Sequence, residues 1–149
     1  MDAGIYAARA DYLDRSVQLG VAGDRVISVS FPREADPDAS DDHPLLERVR
    51  AYLEGVEDDF TDVGLTVPTD QRAVLETVRG VGYGESVTVE AAARATPGLD
   101  ADDEADRQLA RTALADNPLP LLVPDHRVRN APSGAPPEVE QKLRALEGL

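Results

Sequence analysis

The sequence predicts an α+β protein in two parts, a small lobe over residues 1–67 and a second domain over residues 68–149. Alternating apolar and polar residues, typical of strands, occur near the N-terminus, whereas apolar residues at helical spacing dominate the rest. Pro68 followed by Thr69, a helix-capping residue, separates the two parts. A chain of 149 residues can bury a core in one domain or in two small lobes.

The amino-acid composition excludes several kinds of site. The chain has no cysteine, so disulfides, thiolate metal ligands and cysteine nucleophiles are ruled out together. We expect no metal and no cofactor. No stretch reaches the roughly 18 apolar residues of a membrane helix, and no basic and apolar leader opens the sequence. We expect a soluble, cytoplasmic protein that is monomeric and has no membrane partner.

The chain is strongly acidic. The formal net charge is −14, from 29 acidic and 15 basic residues, and Lys142 is the single lysine. Such a surface normally argues against nucleic acid. Acidic surfaces with little lysine are also the general habit of proteins adapted to high salt, and we favour this halophilic interpretation. Acidity alone therefore does not exclude DNA, although ordinary phosphate attraction would be heavily screened.

The first part reads as two strands and a helix. Residues 16–21 and 25–31 alternate like strands, and residues 22–24 supply glycine and aspartate for a hairpin turn. An acidic loop follows over residues 32–42. Apolar residues then recur at helical spacing, with Asp41 or Asp42 as the expected cap and with the apolar positions Leu45, Leu46, Val49, Tyr52 and Leu53.

Two further features of the first part carry less information. His43 lies at the start of this helix, and a lone histidine in a loop is usually solvated. Residues 60–67 read as one more strand.

The second part reads as a series of helices. One helix begins near Thr69 and ends near Arg79, and a glycine-rich turn follows it. A short helix over residues 88–95 and a longer one over residues 103–115 form a helix–loop–helix pair. In the longer helix we expect Leu109, Ala113 and Leu114 to point inward and Arg107, Gln108, Arg111 and Thr112 to be more exposed. Residues 138–149 form the last helix.

Residues 117–128, NPLPLLVPDHRV, organise the second part. Leu119, Leu121 and Leu122 lie in a run of apolar residues and prolines that cannot all face solvent, so we expect them to be buried. The buried run would fix the polar turn Pro124-Asp125-His126-Arg127 that follows it. A fixed turn with an acid, an imidazole and a guanidinium is a candidate functional site.

These segments resemble the alkylguanine-DNA alkyltransferases, the repair proteins that remove alkyl groups from guanine O6. The resemblance covers residues 69–149 and rests on Tyr83-Gly84-Glu85, on Asn117-Pro118 through Val128 and on Leu146-Glu147-Gly148. It implies a small ribonuclease-H-like N-terminal lobe followed by a winged helix-turn-helix domain. In the family's central Pro-Cys-His-Arg-Val motif the cysteine accepts the alkyl group, and Asp125 stands in that place here.

The resemblance also implies roles for the neighbouring residues. His126 and Glu147 match the pair that withdraws the cysteine's proton, and Asn117 matches the residue that braces the site. The family's recognition-helix arginine, which fills the gap left by a flipped nucleotide, is Gln108 here. Its tyrosine, which helps to rotate the phosphate, is Val89. The loop after the motif lacks the family's tyrosine and paired glycines.

We therefore expect a degenerate site, Asp125 with His126 and Glu147, that does no chemistry. The expected pocket residues are Asn117, Pro124, Asp125, His126 and Arg127. The expected DNA-binding residues are Thr88, Arg107, Gln108, Arg111 and Thr112.

The leading hypothesis is a non-catalytic, alkyltransferase-like protein that binds double-stranded DNA, with a flipped base, and senses or marks modified bases for repair proteins. Relatives with Trp or Ala at the cysteine position are non-enzymatic lesion sensors. The alternative is a winged-helix module that binds protein and no longer DNA. A hydrolase using Asp125 and His126 is a distant third. The retained polar residues also have a structural interpretation, with Asp125 as a turn acid held by Arg127 or by nearby amides.

Overall fold

A computed structural model describes residues 3–149. The strands and helices are, in chain order, β1 (Ala3–Ala10), β2 (Arg15–Ala22), β3 (Arg25–Ser30), α1 (Pro44–Leu53), α2 (Arg72–Arg79), β4 (Val87–Thr88), α3 (Val89–Ala95), α4 (Glu104–Ala115), β5 (Val128–Arg129) and α5 (Pro137–Glu147). The chain is thus a mixed α+β protein, as the sequence predicts. Among the described helices, none is both long and apolar enough to cross a membrane.

Strands β1, β2 and β3 form an antiparallel sheet in that order. The β2–β3 hairpin is confirmed, with Ala22 opposite Arg25. Strand β1 was not predicted, because half of its sequence AGIYAARA is alanine and it shows little alternation. It pairs along its whole length with β2, and Ala7 and Ala10 are buried against the core.

Two other expectations in the first part are corrected. His43, not an acid, caps α1, because its Nδ1 accepts a hydrogen bond from the backbone N–H of Leu45 at 3.1 Å. Its ring also packs edge-on against Tyr6, with centroids 4.9 Å apart, so it is not simply solvated. Residues 60–67 form no strand, and one isolated β-bridge, between Leu65 and Val26, joins their backbone to the described sheet.

In the second part, α2, α3 and α4 pack on one another and a short parallel pair joins β4 to β5. Asp103 caps α4, and its side chain accepts from the N–H of Ala105 at 2.9 Å. The two parts share one continuous apolar core. The backbone N–H of Val29 in β3 donates to the carbonyl of Pro118 at 2.8 Å, which ties the sheet to the central segment.

Candidate functional site

The central segment is buried as predicted. The exposed fractions of Leu119, Leu121 and Leu122 are 0%, 3% and 0%. The chain then turns sharply, because the N–H of Val123 donates to the carbonyl of Leu119 at 2.8 Å. A single 3₁₀ turn follows over Asp125–Arg127, and all three of its side chains are buried. The apolar run therefore fixes three ionisable groups inside the protein.

Asp125 is fully buried and accepts hydrogen bonds from three groups. Its partners are Nδ2 of Asn117 at 3.0 Å, Oγ of Ser133 at 2.6 Å and the backbone N–H of Gly134 at 2.7 Å. Burial raises the pKa of the Asp125 carboxyl, and the three hydrogen bonds oppose this rise. Arg127 does not hold this acid, which corrects one structural interpretation of the sequence. The nearby amides do.

The loop after the motif closes over Asp125. A Cβ atom on Gly134 would lie 2.1 Å from the carbonyl oxygen of Asn117, so only glycine fits there. Ser133 bonds Asp125 and also accepts from the N–H of Ala135 at 3.0 Å. Neither Ser133 nor Gly134 was expected at the site. A Ser-Gly pair in a proline-rich loop is the only signal, and turns commonly contain it.

His126 lies against a buried carboxylate from the last helix. Its Nε2 is 2.8 Å from Oε2 of Glu147 and 3.3 Å from the hydroxyl of Tyr52. The Tyr52 hydroxyl also donates to Glu147. The Nδ1 atom of His126 is buried and makes no hydrogen bond within residues 3–149. Nδ1 is therefore the ring nitrogen left for a water or a ligand.

Glu147 is the hub of this cluster. Its Oε1 accepts from Nε of Arg127 at 2.8 Å and from the N–H of Gly84 at 3.0 Å, while its Oε2 accepts from Nη2 of Arg127 at 3.0 Å. Burial alone would raise the pKa of Glu147, but the bonds from His126, Arg127 and Tyr52 outweigh it and lower that pKa well below its usual range. Burial, followed by the bond to Glu147, raises the pKa of Tyr52.

Arg127 connects the cluster to the first part of the chain. Its Nη1 donates to Oδ1 of Asp59 at 2.9 Å and to the carbonyl of Val81 at 2.7 Å. The guanidinium also lies over the ring of Tyr83, 5.6 Å from the centroid. Neither Tyr52 nor Asp59 was expected at the site. Tyr52 is indistinguishable in sequence from the other apolar positions of α1, and Asp59 is one of many acids.

The structure brings together the five expected pocket residues, and all of them are buried. Asn117 reaches both the turn and the acid, since its Nδ2 also donates to the carbonyl of Val123 at 3.2 Å. Pro124 precedes the 3₁₀ turn and cannot donate a backbone hydrogen bond. Asp125 and His126 have separate partners and share no hydrogen bond in the described part of the chain. The structure therefore does not pair Asp125 with His126 as the hydrolase hypothesis requires, and the acid that contacts His126 is Glu147.

The expected DNA-binding residues lie on α4 and at the start of α3. Thr88 caps α3, accepting from the N–H of Ala91 at 3.1 Å. Gln108 and Thr112 are exposed, whereas Arg107 and Arg111 are half-buried. Arg107 donates to Glu104 at 2.5 Å and Arg111 lies 3.6 Å from Glu90. Both arginines are therefore paired with acids.

The expectation for Leu109 is wrong. Its exposed fraction is 57%, and Ala110 occupies the buried position on that turn of α4. The exposed residues at helical spacing form an uncharged ridge, which we define as Ala105, Gln108, Leu109 and Thr112. Such a ridge stands out on a chain with a net charge of −14. The sequence could not reveal it, because leucine in a helix normally packs inward.

The sequence and the fold were compared with those of known proteins. No protein-family model matches the chain. A methylated-DNA–protein-cysteine methyltransferase of Metallosphaera sedula is 28% identical over 131 residues, which cover 83% of this chain and 80% of the relative. The chain is thus similar in sequence to a methylated-DNA–protein-cysteine methyltransferase, although it contains no cysteine.

The chain also has the same fold as several solved methyltransferase structures. The O6-methylguanine methyltransferase of Mycobacterium tuberculosis superposes with a TM-score of 0.71 at 18% identity, over 99% of this chain and 92% of that one. The M. tuberculosis protein OGT in complex with DNA gives 0.70 at 18% identity, over 98% and 91%. The O6-methylguanine-DNA methyltransferase of Pyrococcus kodakaraensis gives 0.69 at 21%, over 99% and 100%.

The structure shows where two residues lie that differ from the pattern implied by the resemblance. Val89, at the family's tyrosine position, is fully buried at the start of α3. It is a core residue here and has no hydroxyl to offer to a phosphate. Gln108, at the arginine position, is exposed and carries no charge. The chain therefore differs from the pattern that the resemblance implies at position 125, at position 89 and at position 108.

Proposed function

We propose that the chain is a non-catalytic, alkyltransferase-like DNA-binding protein of DNA repair that senses or marks modified bases. The observation that carries this proposal is Asp125, which stands at the nucleophile position as a fully buried carboxylate with three hydrogen-bond donors. The surrounding network of Asn117, His126, Arg127 and Glu147 is intact. A site with ordered surroundings and no nucleophile suits recognition better than reaction.

The chemistry of Asp125 argues against alkyl transfer. Two of its partners are amide N–H groups, which only donate, so these hydrogen bonds favour the carboxylate form and oppose the rise in pKa that burial causes. Guanine O6 is also a hydrogen-bond acceptor. An ionised carboxylate beside it could therefore form no hydrogen bond with it. An aspartyl alkyl ester would also be labile. The carboxylate thus replaces the thiol in position and does not replace it in function.

In this proposal residues 1–67 are a ribonuclease-H-like lobe and residues 68–149 are a winged helix-turn-helix domain. The three-stranded sheet with α1 supports the first assignment. The second is supported by the α3–α4 pair and by the short β4–β5 pair beside it, in which Thr88 lies opposite Arg129. The ridge on α4 would then enter the DNA groove, with Thr88, Arg107 and Arg111 beside it.

The remaining expectations belong to the same proposal. The protein is a cytoplasmic monomer from a high-salt cell, binds double-stranded DNA with a base flipped from the stack, and hands the lesion to repair proteins. One structural neighbour is a complex with DNA, which supports DNA as the partner. Flipping costs a few kcal/mol, which contacts of the ridge and of the pocket must offset.

One observation favours the alternative, a module that binds protein. Leu109 is exposed, and the arginines beside it are paired with Glu104 and Glu90 instead of being free for phosphates. Exposed leucines are common at protein interfaces, but apolar side chains also act as wedges in minor-groove binding. The intact site network gives DNA the preference.

Titration of fluorescent duplexes in molar KCl tests the proposal. We expect saturable binding of a duplex that contains O6-methylguanine, with weaker binding of the matched guanine duplex. High salt is used because it screens repulsion between the acidic chain and DNA. The unlabelled modified duplex should compete. Failure of both duplexes to bind at every KCl concentration, with the protein folded, would favour the protein-binding alternative.

A further inference from the structure

A cavity that Asp125 does not line lies where the start of β3 and the segment after residue 64 meet α2. Its volume is about 180 Å³, several times the roughly 30 Å³ share of one liquid water. Its walls combine apolar side chains with charged ones, and the lining residues are Arg25, Leu65, Val67, Arg72, Leu75, Glu76, Arg79 and Val123. Three of the eight are arginines.

These arginines lack the partners that the composition would favour. Acids outnumber bases by 29 to 15, yet Arg25, Arg72 and Arg79 make no ion pair within residues 3–149. Arg25 donates to the carbonyl of Leu65 at 2.5 Å. Arg79 donates to the carbonyls of Phe60 at 2.8 Å and Val63 at 2.5 Å. Neutral carbonyls orient these side chains and leave their charge uncompensated.

Arg79 supplies a second sign of an incomplete site. Its Nε atom is buried and has no hydrogen-bond partner within residues 3–149, and such a donor is costly when left unsatisfied. Burial lowers the pKa of Arg79 and Arg25 lowers it further, while Asp62 and Glu76 partly offset them. Asp62 is bound by Arg48 at 2.9 Å, so Glu76 is the acid that faces the cavity.

We propose that this cavity binds a small oxyanion of the phosphate or sulfate type, held by Arg25, Arg72 and Arg79. Guanidinium groups are charge-assisted donors, and their forked N–H groups suit the oxygens of tetrahedral oxyanions. The apolar part of the wall, which includes Leu75 and Val123, lowers the local dielectric and so strengthens hydrogen bonds made beside it. The ligand is either a free anion or a phosphate of the DNA backbone, and the same chemistry serves both.

Thermal unfolding with inorganic phosphate, at constant ionic strength set with KCl, tests this site. A ligand that binds only the folded state raises Tm saturably. Arg72→Met should weaken the apparent phosphate affinity at least about tenfold, the equivalent of one charge-assisted hydrogen bond. Arg72 is exposed and holds no backbone carbonyl, so this variant should fold. Arg33→Met, the same charge change on an exposed arginine outside the cavity, should leave the affinity unchanged.

A second variant is expected to bind phosphate more tightly, and such an increase cannot result from misfolding. Glu76→Gln removes the one acid that lines the cavity, so it should tighten phosphate binding. If a short duplex displaces phosphate in competition, the natural source is the DNA backbone; if it does not, the source is a free anion. Phosphate that stabilises no more than chloride, or equal losses in Arg33→Met and Arg72→Met, would overturn the proposal. The outcome is independent of whether α4 binds DNA.

Discussion

Asn117 and Asp125 form one unit, because the Asn117 amide donates to the Asp125 carboxylate at 3.0 Å and to the carbonyl of Val123 at 3.2 Å. The oxygen of the same amide accepts from the N–H of Leu119 at 3.0 Å. One buried side chain thus fixes both ends of the apolar run and the acid beyond it.

Replacing Asn117 should therefore destabilise the fold. Asn117→Ala leaves the N–H of Leu119 without a partner and takes one donor each from Asp125 and from the carbonyl of Val123, which keeps the N–H of Asp125 at 2.8 Å. Unsatisfied buried groups cost about 1–3 kcal/mol each, so we expect a loss of at least about 2 kcal/mol in the free energy of unfolding. Urea denaturation measures it. Gln108→Ala, which removes an exposed amide on α4, should change stability by less than about 0.5 kcal/mol.

The depressed pKa of Glu147 predicts an acid-sensitive fold. An acid with a folded pKa below its unfolded value contributes stability that is complete above the unfolded pKa, about 4.3, and is lost as pH falls towards the folded one. Urea unfolding between pH 7 and pH 3 should show a steady loss. Glu147→Gln should cost about 3 kcal/mol at pH 7, because buried Arg127 loses its buried ionised partner and keeps only the half-exposed Asp59.

The same variant should flatten the pH dependence below pH 5, because the titrating group is gone. Glu138→Gln is the matched control on the same helix, and its exposed carboxylate should affect neither quantity much. A Glu147→Gln protein that keeps the full acid sensitivity would assign that sensitivity to other carboxylates.

The sequence predicted the parts of the site that lie close together in the chain. Residues 117–128 contain both the apolar run and the turn, so local pattern sufficed to foresee buried leucines and clustered polar groups. Glu147 was found through the family resemblance, since nothing in a helix-end Leu-Glu-Gly indicates burial. Tyr52, Asp59 and Ser133 reach the site only through tertiary packing.

The features that the sequence failed to predict are those whose secondary structure or burial is set by contacts with other parts of the chain. An alanine-rich segment became β1 because β2 supplied its hydrogen-bond partners. Residues 60–67 have strand-like composition, yet Arg79 binds the carbonyls of Phe60 and Val63, which removes them from any ladder. Leu109 faces out because Ala110 takes the core position.

Stability should rise with salt. With a net charge of −14, self-repulsion opposes the compact state and salt screens it over a Debye length that falls from about 10 Å at 0.1 M to about 3 Å at 1 M. We expect Tm to increase as KCl goes from dilute to molar concentrations. A constant or falling Tm would remove the halophilic interpretation and would restore acidity as an argument against DNA.

A charge on the ridge should weaken DNA binding. Thr112→Glu puts a carboxylate on the surface that we expect to face phosphates, and like charges there should lower duplex affinity on the order of tenfold or more. Anisotropy titration in molar KCl measures the change. Thr61→Glu makes the same substitution at an exposed position far along the chain from α4. Equal affinities in both variants would place the DNA-binding surface elsewhere.

Alkyl transfer to Asp125→Cys tests most directly the claim that the chain keeps the family's site without its chemistry. The variant restores a thiol beside His126 and Glu147, but Gln108 and Val89 still lack the charge and the hydroxyl that the family uses to deliver the base. Misplacement of reacting groups can cost on the order of a hundredfold even when the groups are present. With a duplex that carries radiolabelled O6-methylguanine, we predict little or no label on the variant and none on the wild type. Rapid, stoichiometric labelling of Asp125→Cys would contradict the account, because it would show that the machinery for base delivery is intact.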